Sequence, residues 1–172
     1  MRQLWGVVVG VVVAAGIASG QEFQWFASAA GKYKVLFPGA VKSEVREISA
    51  GKETLRLYLD SVELKGDTVF LVSYVDASEE VAKKPAGPRL DKVRDGNKGE
   101  RGQVIEEKDI TLSLGSEKFP GRDLLIETPQ GYLRNRVVIV GRRLYQVMVQ
   151  GTKEVVTSSA ADKFINSFEL TK

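Results

Sequence analysis

The sequence predicts an α+β fold, a mostly antiparallel β-sheet with a middle helix and a C-terminal helix packed on it. Three observations support this prediction. Short runs of alternating apolar and polar residues, each ended by a turn signal, recur along most of the chain. A polar segment rich in Gly and Pro interrupts these runs between residues 76 and 102. The chain ends in a stretch whose apolar residues recur at helical spacing.

The first twenty residues have the composition of a secretory signal peptide. Arg2 provides a positive start, residues 4–17 are uncharged and apolar, and Ala18-Ser19-Gly20 offers the small residues at which a signal peptidase cleaves. The apolar stretch is shorter than the roughly 20 residues that span a bilayer. We therefore expect residues 1–20 to direct export to the periplasm or the exterior, with retention by an uncleaved N-terminal anchor as the alternative. Residues 21–172 then form a single domain.

Strand patterns dominate the first half of this domain. Residues 33–37 alternate between apolar and other side chains, and Pro38-Gly39 ends the strand. Residues 55–59 alternate in the same way, but the apolar parity changes at Asp60-Ser61, which predicts a β-bulge there. In residues 68–75 both the odd-numbered and the even-numbered positions are mostly apolar, so we expect both faces of that strand to be covered.

Two helices are predicted. Pro88 suits the first turn of a helix and indicates a short one over residues 88–97, with a thin apolar stripe. Near the C-terminus a serine precedes Ala160 as a cap, and Phe164 and Phe168 follow at helical spacing. We expect this amphipathic terminal helix to pack on the sheet.

Residues 132–151 combine four arginines with branched aliphatic residues, which predicts a β-hairpin. Matching the apolar faces of its two strands requires a three-residue loop, Gly141-Arg142-Arg143. One face of the hairpin is then buried and the other is the outer face. Arg134 and Arg136 lie at the solvent-exposed end of this outer face, beside two glutamines, Gln146 and Gln150. We identify Arg134 and Arg136 as candidate partner-binding residues.

The composition excludes several classes of site. The chain has no cysteine and no histidine, which excludes disulfides, Ser-His-Asp and Cys-His catalysis, and zinc sites built from those ligands. The net charge of +3 is small and does not indicate a nucleic-acid-binding face. No Gly-Lys-Ser/Thr motif is present, which excludes that type of phosphate loop. We predict no catalytic residues, no cofactor and no metal.

Two acidic motifs come closest to a catalytic or metal site. Glu106 and Glu107 are adjacent, so on a strand their side chains point to opposite faces and do not form a catalytic pair. Asp95 and Asn97 have the alternate spacing of a calcium loop, but Glu100 stands where such a loop requires glycine. We interpret both motifs as solvated surface.

Two short motifs frame the domain, YKVLFPGAV near its start and ADKFINSFEL at its end, with a predicted hairpin just before the second. In these motifs and in the order of its elements, the domain resembles the PsbP-like superfamily, which includes exported bacterial proteins. The resemblance implies helices packed on an antiparallel sheet and a binding role rather than catalysis. It implies no site residue, since a fold does not determine a function.

We therefore expect an exported, non-catalytic binding or structural domain of the cell envelope or periplasm. Its partner is expected to be a protein or an envelope component and not a nucleic acid, and the basic segment 76–102 allows a weak contact with an anionic membrane surface. Two alternatives stay open. One is a small-ligand or lipid carrier with a cavity between the sheet and the terminal helix, and the other is a histidine-free, carboxylate-based hydrolase. The sequence leaves the partner and the oligomeric state open.

Overall fold

The computed structural model describes residues 22–50 and 53–172. The predicted signal segment, residues 1–20, lies outside the described residues, so its role in export stays a prediction. In the described part of the chain, no helix is both long enough and apolar enough to cross a membrane.

The described residues form two antiparallel sheets and several helices. The strands are β1 (Gln24–Ser28), β2 (Tyr33–Phe37), β3 (Lys42–Ala50), β4 (Glu53–Leu64), β5 (Thr68–Asp76), β6 (Gln103–Leu114), β7 (Glu117–Thr128), β8 (Gly131–Val140), β9 (Arg143–Gly151) and β10 (Glu169–Leu170). The helices are α1 (Glu79–Ala82), α2 (Ala86–Lys98), α3 (Lys153–Val156) and α4 (Ser159–Asn166). The small sheet has the order β1-β2-β10 and the large sheet the order β3-β4-β5-β9-β8-β7-β6. The predicted α+β fold is confirmed.

The small sheet and α4 cover one face of the large sheet. The rings of Phe37, Phe70 and Phe164 fill the space between them, with ring centres 5.0 Å apart for Phe37 and Phe164 and 5.3 Å apart for Phe70 and Phe164. Because each buried aromatic side chain removes roughly 150–250 Å² from water, this layer is the main core. The space between sheet and terminal helix that a ligand carrier requires is therefore packed with side chains at these rings.

Helix α2 covers part of the opposite face of the large sheet. Leu90 of α2 is buried against Leu124, Ile126 and Val137. The helix begins two residues before the predicted start and ends one residue after the predicted end, with Pro85 at its N-cap. The predicted middle helix is confirmed.

The predicted C-terminal helix is also confirmed. The hydroxyl of Ser158 accepts a hydrogen bond from the backbone N–H of Ala161 at 3.2 Å and caps α4. Helix α3 and strand β10 were not predicted, because elements of four and two residues are too short to show a period. Strand β10 joins the small sheet through the pairing of Glu169 with Lys34.

The predicted loop of the β8–β9 hairpin is wrong. Val140 pairs with Arg143, which leaves a two-residue turn, Gly141-Arg142, with a φ of +58° at Gly141. Glycine tolerates this φ at the first position of a tight hairpin turn. The prediction assumed one buried hairpin face, but Val137 and Val138, which point to opposite faces, are both fully buried. The apolar pattern therefore does not select the register.

The predicted bulge at Asp60-Ser61 is wrong as well. Strand β4 pairs with β3 and with β5 through unbroken registers. The apolar parity changes because Leu59 lies on the face away from the main core, whereas Val62 and the buried Asp60 lie on the core face. Among the strand pairs described, β6 is the one with a register shift, between Val104 and Glu106.

Candidate functional site

An open cavity of about 580 Å³ lies where the β1–β2 loop, the end of β5 and the β8–β9 turn come together. We call it the basic cleft, and its lining residues are Lys32, Asp76, Val140, Arg142, Arg143 and Tyr145. These residues come from three segments that are far apart in the sequence, so the fold alone assembles the cleft.

The β1–β2 loop is fastened to the large sheet by two hydrogen bonds. The hydroxyl of Tyr145 donates to the carbonyl of Gly31 at 2.6 Å, and Nη1 of Arg143 donates to the carbonyl of Ala30 at 2.8 Å. Gly31 is required because a Cβ at this position would lie 2.6 Å from the ring of Tyr33. The loop therefore forms a fixed wall of the cleft.

Arg143 is held on several sides. Its guanidinium donates two hydrogen bonds to the carboxylate of Asp76, at 2.7 and 2.8 Å, and lies 4.7 Å from the ring centre of Tyr74. The hydrogen bonds lower the pKa of Asp76 and raise the pKa of Arg143, so both groups are charged at neutral pH. Tyr58 in turn stacks on Tyr74, with ring centres 4.6 Å apart and an interplanar angle of 4°. The position of this cation is thus set before any ligand arrives.

Two further cations line the cleft, Lys32 and Arg142. Lys32 has a φ of +53° at the end of the β1–β2 loop. Arg142 is exposed, and its Nε donates to the carbonyl of Ala77 at 3.0 Å. Its Nη1 lies 3.9 Å from the carboxylate of Glu79, whose side chain is 76% exposed. That contact is too long and too solvated to neutralise Arg142.

Arg89 of α2 adds positive charge at the same place, because its Nη1 donates to the carbonyl of Gly141 at 3.2 Å. Three cations, Lys32, Arg142 and Arg143, line the cleft together with the carboxylate of Asp76. Arg89 and Glu79 lie beside it, so the count in and around the cleft is four cations and two carboxylates. Guanidinium groups beside a recess bind carboxylate or phosphate oxygens through charge-assisted hydrogen bonds. The arrangement can bind an anionic group.

A buried carboxylate lies beneath a neighbouring groove of about 380 Å³, which is lined by Phe26, Tyr58 and Tyr74 among others. Asp60 is 6% exposed, and the hydroxyls of Tyr33 and Ser43 donate to its two oxygens. Burial, together with the adjacent Asp60 carboxylate, raises the pKa of Tyr33, so its hydroxyl keeps the proton that it donates. Because Tyr33 belongs to β2 and Asp60 to β4, this contact joins the small sheet to the large one.

The two arginines that the sequence nominates contact the C-terminal helices. Arg136 donates two hydrogen bonds of 2.8 Å to Asp123 and one of 3.1 Å to the carbonyl of Ile165. Arg134 donates to Asp162 at 2.6 Å. The two side chains share one face of β8, and each is engaged with its own chain.

Their surroundings differ from the predicted ones. Arg134 pairs with Val149 and Arg136 with Val147, whereas the expected glutamines lie elsewhere, Gln146 opposite Val137 on the other face of the sheet. Arg134 lines another open cavity, of about 780 Å³, and neither arginine lines the basic cleft. A partner-binding role for Arg134 and Arg136 stays a prediction.

The first acidic motif takes part in an ion-pair network. Glu107 lies 2.7 Å from Arg122, whose guanidinium also contacts Asp91 at 2.7 Å and Asp109 at 3.0 Å. Glu106 pairs with Leu125 and Glu107 with Leu124, so the two glutamates face opposite sides of the sheet, as predicted. The network connects α2 to β6 and β7.

The second acidic motif is engaged within the chain too. Asp95 accepts a hydrogen bond from Arg94 at 2.9 Å, and Asn97 accepts one from the buried Asn135 at 2.6 Å. Across residues 22–50 and 53–172, no cluster of three or more His, Cys, Asp or Glu side chains is placed to hold a metal ion.

Sequence reasoning missed most of the basic cleft. It treated Arg142 and Arg143 as loop residues, counted Arg89 only within the basic segment 76–102, and did not single out Lys32 or Asp76 as parts of a site. The sequence signal available was the Gly-Arg-Arg turn, since a turn exposes its side chains where a cavity can form.

Comparisons with known proteins bear on the fold. No protein-family model matches the chain, and no curated protein sequence matches it significantly. The chain is similar to the solution structure of cyanobacterial PsbP (CyanoP) from Synechocystis sp. PCC 6803, with a TM-score of 0.55 and 11% sequence identity over 94% of this chain and 99% of that chain. At such low identity the likeness shows the fold alone. The chain has a PsbP-like fold, and the resemblance found in the sequence is confirmed at that level.

Proposed function

We propose that the chain is an exported, non-catalytic binding domain whose basic cleft takes an anionic group of a protein partner in the cell envelope or periplasm. The observation that carries the proposal is the excess of cations in and around the cleft, four against two carboxylates. The signal-like N-terminal sequence supports export, and the PsbP-like fold supports a binding role.

The mixed apolar and charged lining of the cleft favours a single protruding acidic group over an extended polyanion. Val140 and Tyr145 form apolar parts of its lining, beside the cations Arg142 and Arg143. Glu79 and Asp76 interrupt the positive charge, whereas a polymer or a membrane surface needs a continuous basic face. An aspartate or glutamate side chain, or a chain terminus, matches the mixture of apolar wall and fixed guanidinium.

A peptide-binding experiment tests this proposal. The probe is a fluorescein-labelled, C-terminally amidated hexapeptide with a single glutamate among alanine and serine residues, and its anisotropy is measured with the wild-type domain at low salt. Lys32→Gln with Arg142→Gln should weaken binding by about fivefold or more, since two charge-assisted contacts are lost. The matched control, Lys65→Gln with Lys118→Gln, removes the same charge from exposed positions outside the cleft and should bind as the wild type does.

The outcomes separate the alternatives. Equal losses in the cleft variant and in the control indicate general charge attraction and contradict the cleft as the site. Binding to phosphatidylglycerol vesicles without binding to the peptide shows that the partner is a membrane surface instead. A wild-type domain that binds neither probe removes the proposal.

A further inference from the structure

Strand β3 is a long and regular edge strand. Its nine residues pair with β4 through an unbroken register, and within the described ranges no strand pairs with its other side. The other edges are shorter or irregular, because β1 and β10 have five and two residues and β6 carries a bulge. A long regular edge presents backbone donors and acceptors that another strand can bind.

The side chains of β3 form a pattern that complements itself. Val45 is 55% exposed, which makes it one of the few large apolar side chains on the described surface. Glu44 and Arg46 flank it and lie together on the opposite face of the sheet, where Arg46 donates hydrogen bonds of 2.8 and 3.0 Å to Glu44. The Arg46 side chain is largely open to solvent, and the Glu44 side chain is partly so.

We infer that β3 pairs with β3 of a second copy of this chain, antiparallel and about a two-fold axis at Val45. Such an isologous contact requires a surface that complements itself. Val45 then lies opposite Val45 of the partner subunit, Glu44 opposite Arg46 of the partner subunit, and Arg46 opposite Glu44 of the partner subunit. Apolar pairs and opposite charges directly across antiparallel strands stabilise a sheet. The pairing extends the large sheet from one copy into the other.

The charges on β3 select this register. The smallest shift that keeps every side chain on its own face moves the axis by one residue. The shifted axis sets Arg46 against Arg46 of the partner subunit, or Glu44 against Glu44 of the partner subunit, and like charges directly opposite each other are destabilising. Charges on an edge strand usually oppose pairing, but here their alternation permits one register with an identical strand. This self-complementarity identifies a second copy as the occupant.

A cysteine substitution tests the register. The chain has no cysteine, so Val45→Cys introduces a single thiol. Residues directly opposite each other in antiparallel strands have Cα atoms about 4.5–5.5 Å apart, within the range that a disulfide spans. Oxidised glutathione then converts the two thiols of one dimer into a disulfide and is reduced to two glutathione molecules.

We expect most of the Val45→Cys chain to become a covalent dimer. Glu47→Cys is the matched control, because in this register residue 47 lies opposite Ser43 of the partner subunit and the two thiols are too far apart to join. Equal dimer yields from Val45→Cys and Glu47→Cys would overturn the register.

Charge exchange tests the pairing without a covalent bond. Glu44→Arg and Arg46→Glu each place like charges across the axis, so each variant alone should dimerise about tenfold more weakly than the wild type in sedimentation velocity. An equimolar mixture of the two restores opposite charges and should form a heterodimer, and the double variant should dimerise as the wild type does. Far-UV circular dichroism checks that each variant is folded. A wild-type chain that sediments as a monomer at every attainable concentration, or a mixture without heterodimer, overturns the inference.

Discussion

The Asp60 carboxylate is buried, and two hydroxyl groups stabilise it by hydrogen bonding. The Tyr33 and Ser43 side chains donate to its oxygens, and Tyr33 itself is fully buried. A buried carboxylate is tolerated when hydrogen bonds replace its lost hydration. Among the contacts that join the two sheets, this one depends on a single phenolic hydroxyl from the small sheet.

Removing that hydroxyl tests its contribution. We expect Tyr33→Phe to lower the free energy of unfolding by about 1–3 kcal/mol, because one oxygen of the buried Asp60 loses its donor while the ring still packs. Tyr132→Phe is the control, since Tyr132 is only partly buried and the change should stay within about 0.5 kcal/mol. Urea unfolding at neutral pH measures both. Equal effects of the two substitutions would show that Asp60 does not need the Tyr33 hydroxyl.

The Asp76–Arg143 pair makes stability depend on pH. Hydrogen bonding from Arg143 lowers the folded-state pKa of Asp76 below its unfolded value of about 3.9. The pair therefore contributes stability above that pH and loses the contribution as the pH falls through the folded pKa. The effect is modest, because the Asp76 side chain is 50% exposed.

Unfolding in urea across the acidic range measures this contribution. The wild type should be more stable than Asp76→Asn at neutral pH, and the difference should shrink below about pH 4. Glu117→Gln removes an exposed carboxylate in the control. A difference between wild type and Asp76→Asn that stays constant from neutral pH to about pH 3 would contradict the role of the ion pair.

At the scale of elements, alanine substitutions at two glycines distinguish the effect of backbone strain on stability from the effect of packing. Gly96 lies inside α2 with an ordinary helical φ, and Gly141 begins the β8–β9 turn with a φ of +58°. A Cβ added at either position meets no atom within 4 Å. A difference between alanine substitutions at the two positions must therefore come from the backbone.

We expect opposite signs for these substitutions. Gly96→Ala should raise the free energy of unfolding by about 0.5–1 kcal/mol, because alanine restricts the unfolded chain and favours helix. Gly141→Ala should lower it by about 1–2 kcal/mol, because an L residue is strained at positive φ. Thermal or urea unfolding measures both values. Destabilisation by Gly96→Ala, or stabilisation by Gly141→Ala, would contradict this account.

Strands and helices whose apolar residues recur at a regular spacing were predicted from the sequence. The register in which the strands pair was not. Strand β2 and helices α2 and α4 show their period within five to thirteen residues. The register of β8 and β9 depends on which face is buried, and Val137 and Val138 are buried on both. Small-sheet strand β10 has two residues and no period at all. Local pattern therefore predicts element type, whereas register is decided by what packs on each face.

At the scale of the whole molecule, the basic cleft illustrates a second limit of sequence reasoning. The bond between Arg143 and the carbonyl of Ala30 joins positions 113 residues apart. Nothing in either neighbourhood indicates the other, so the cleft appears only when the small sheet docks on the large one. If β3 pairs two copies as inferred, one assembly presents two such clefts, and a partner with two acidic groups would gain affinity by binding both.

We expect the first twenty residues to direct export, and none of the described strands or helices lies within them. The first strand of the described chain begins at Gln24, so cleavage after Gly20 would remove none of the strands or helices described.

In a bacterial host that expresses the full chain, we expect the periplasmic fraction to contain a product that begins at Gln21, measured as an intact mass. Val9→Arg with Val12→Arg should leave the chain in the cytoplasm, because charges within the apolar stretch prevent its recognition as a signal. Gln3→Arg adds charge only to the positive start and should be exported as the wild type is. A membrane-bound product that retains Met1 would support the anchor alternative, and a cytoplasmic wild-type chain would contradict export altogether.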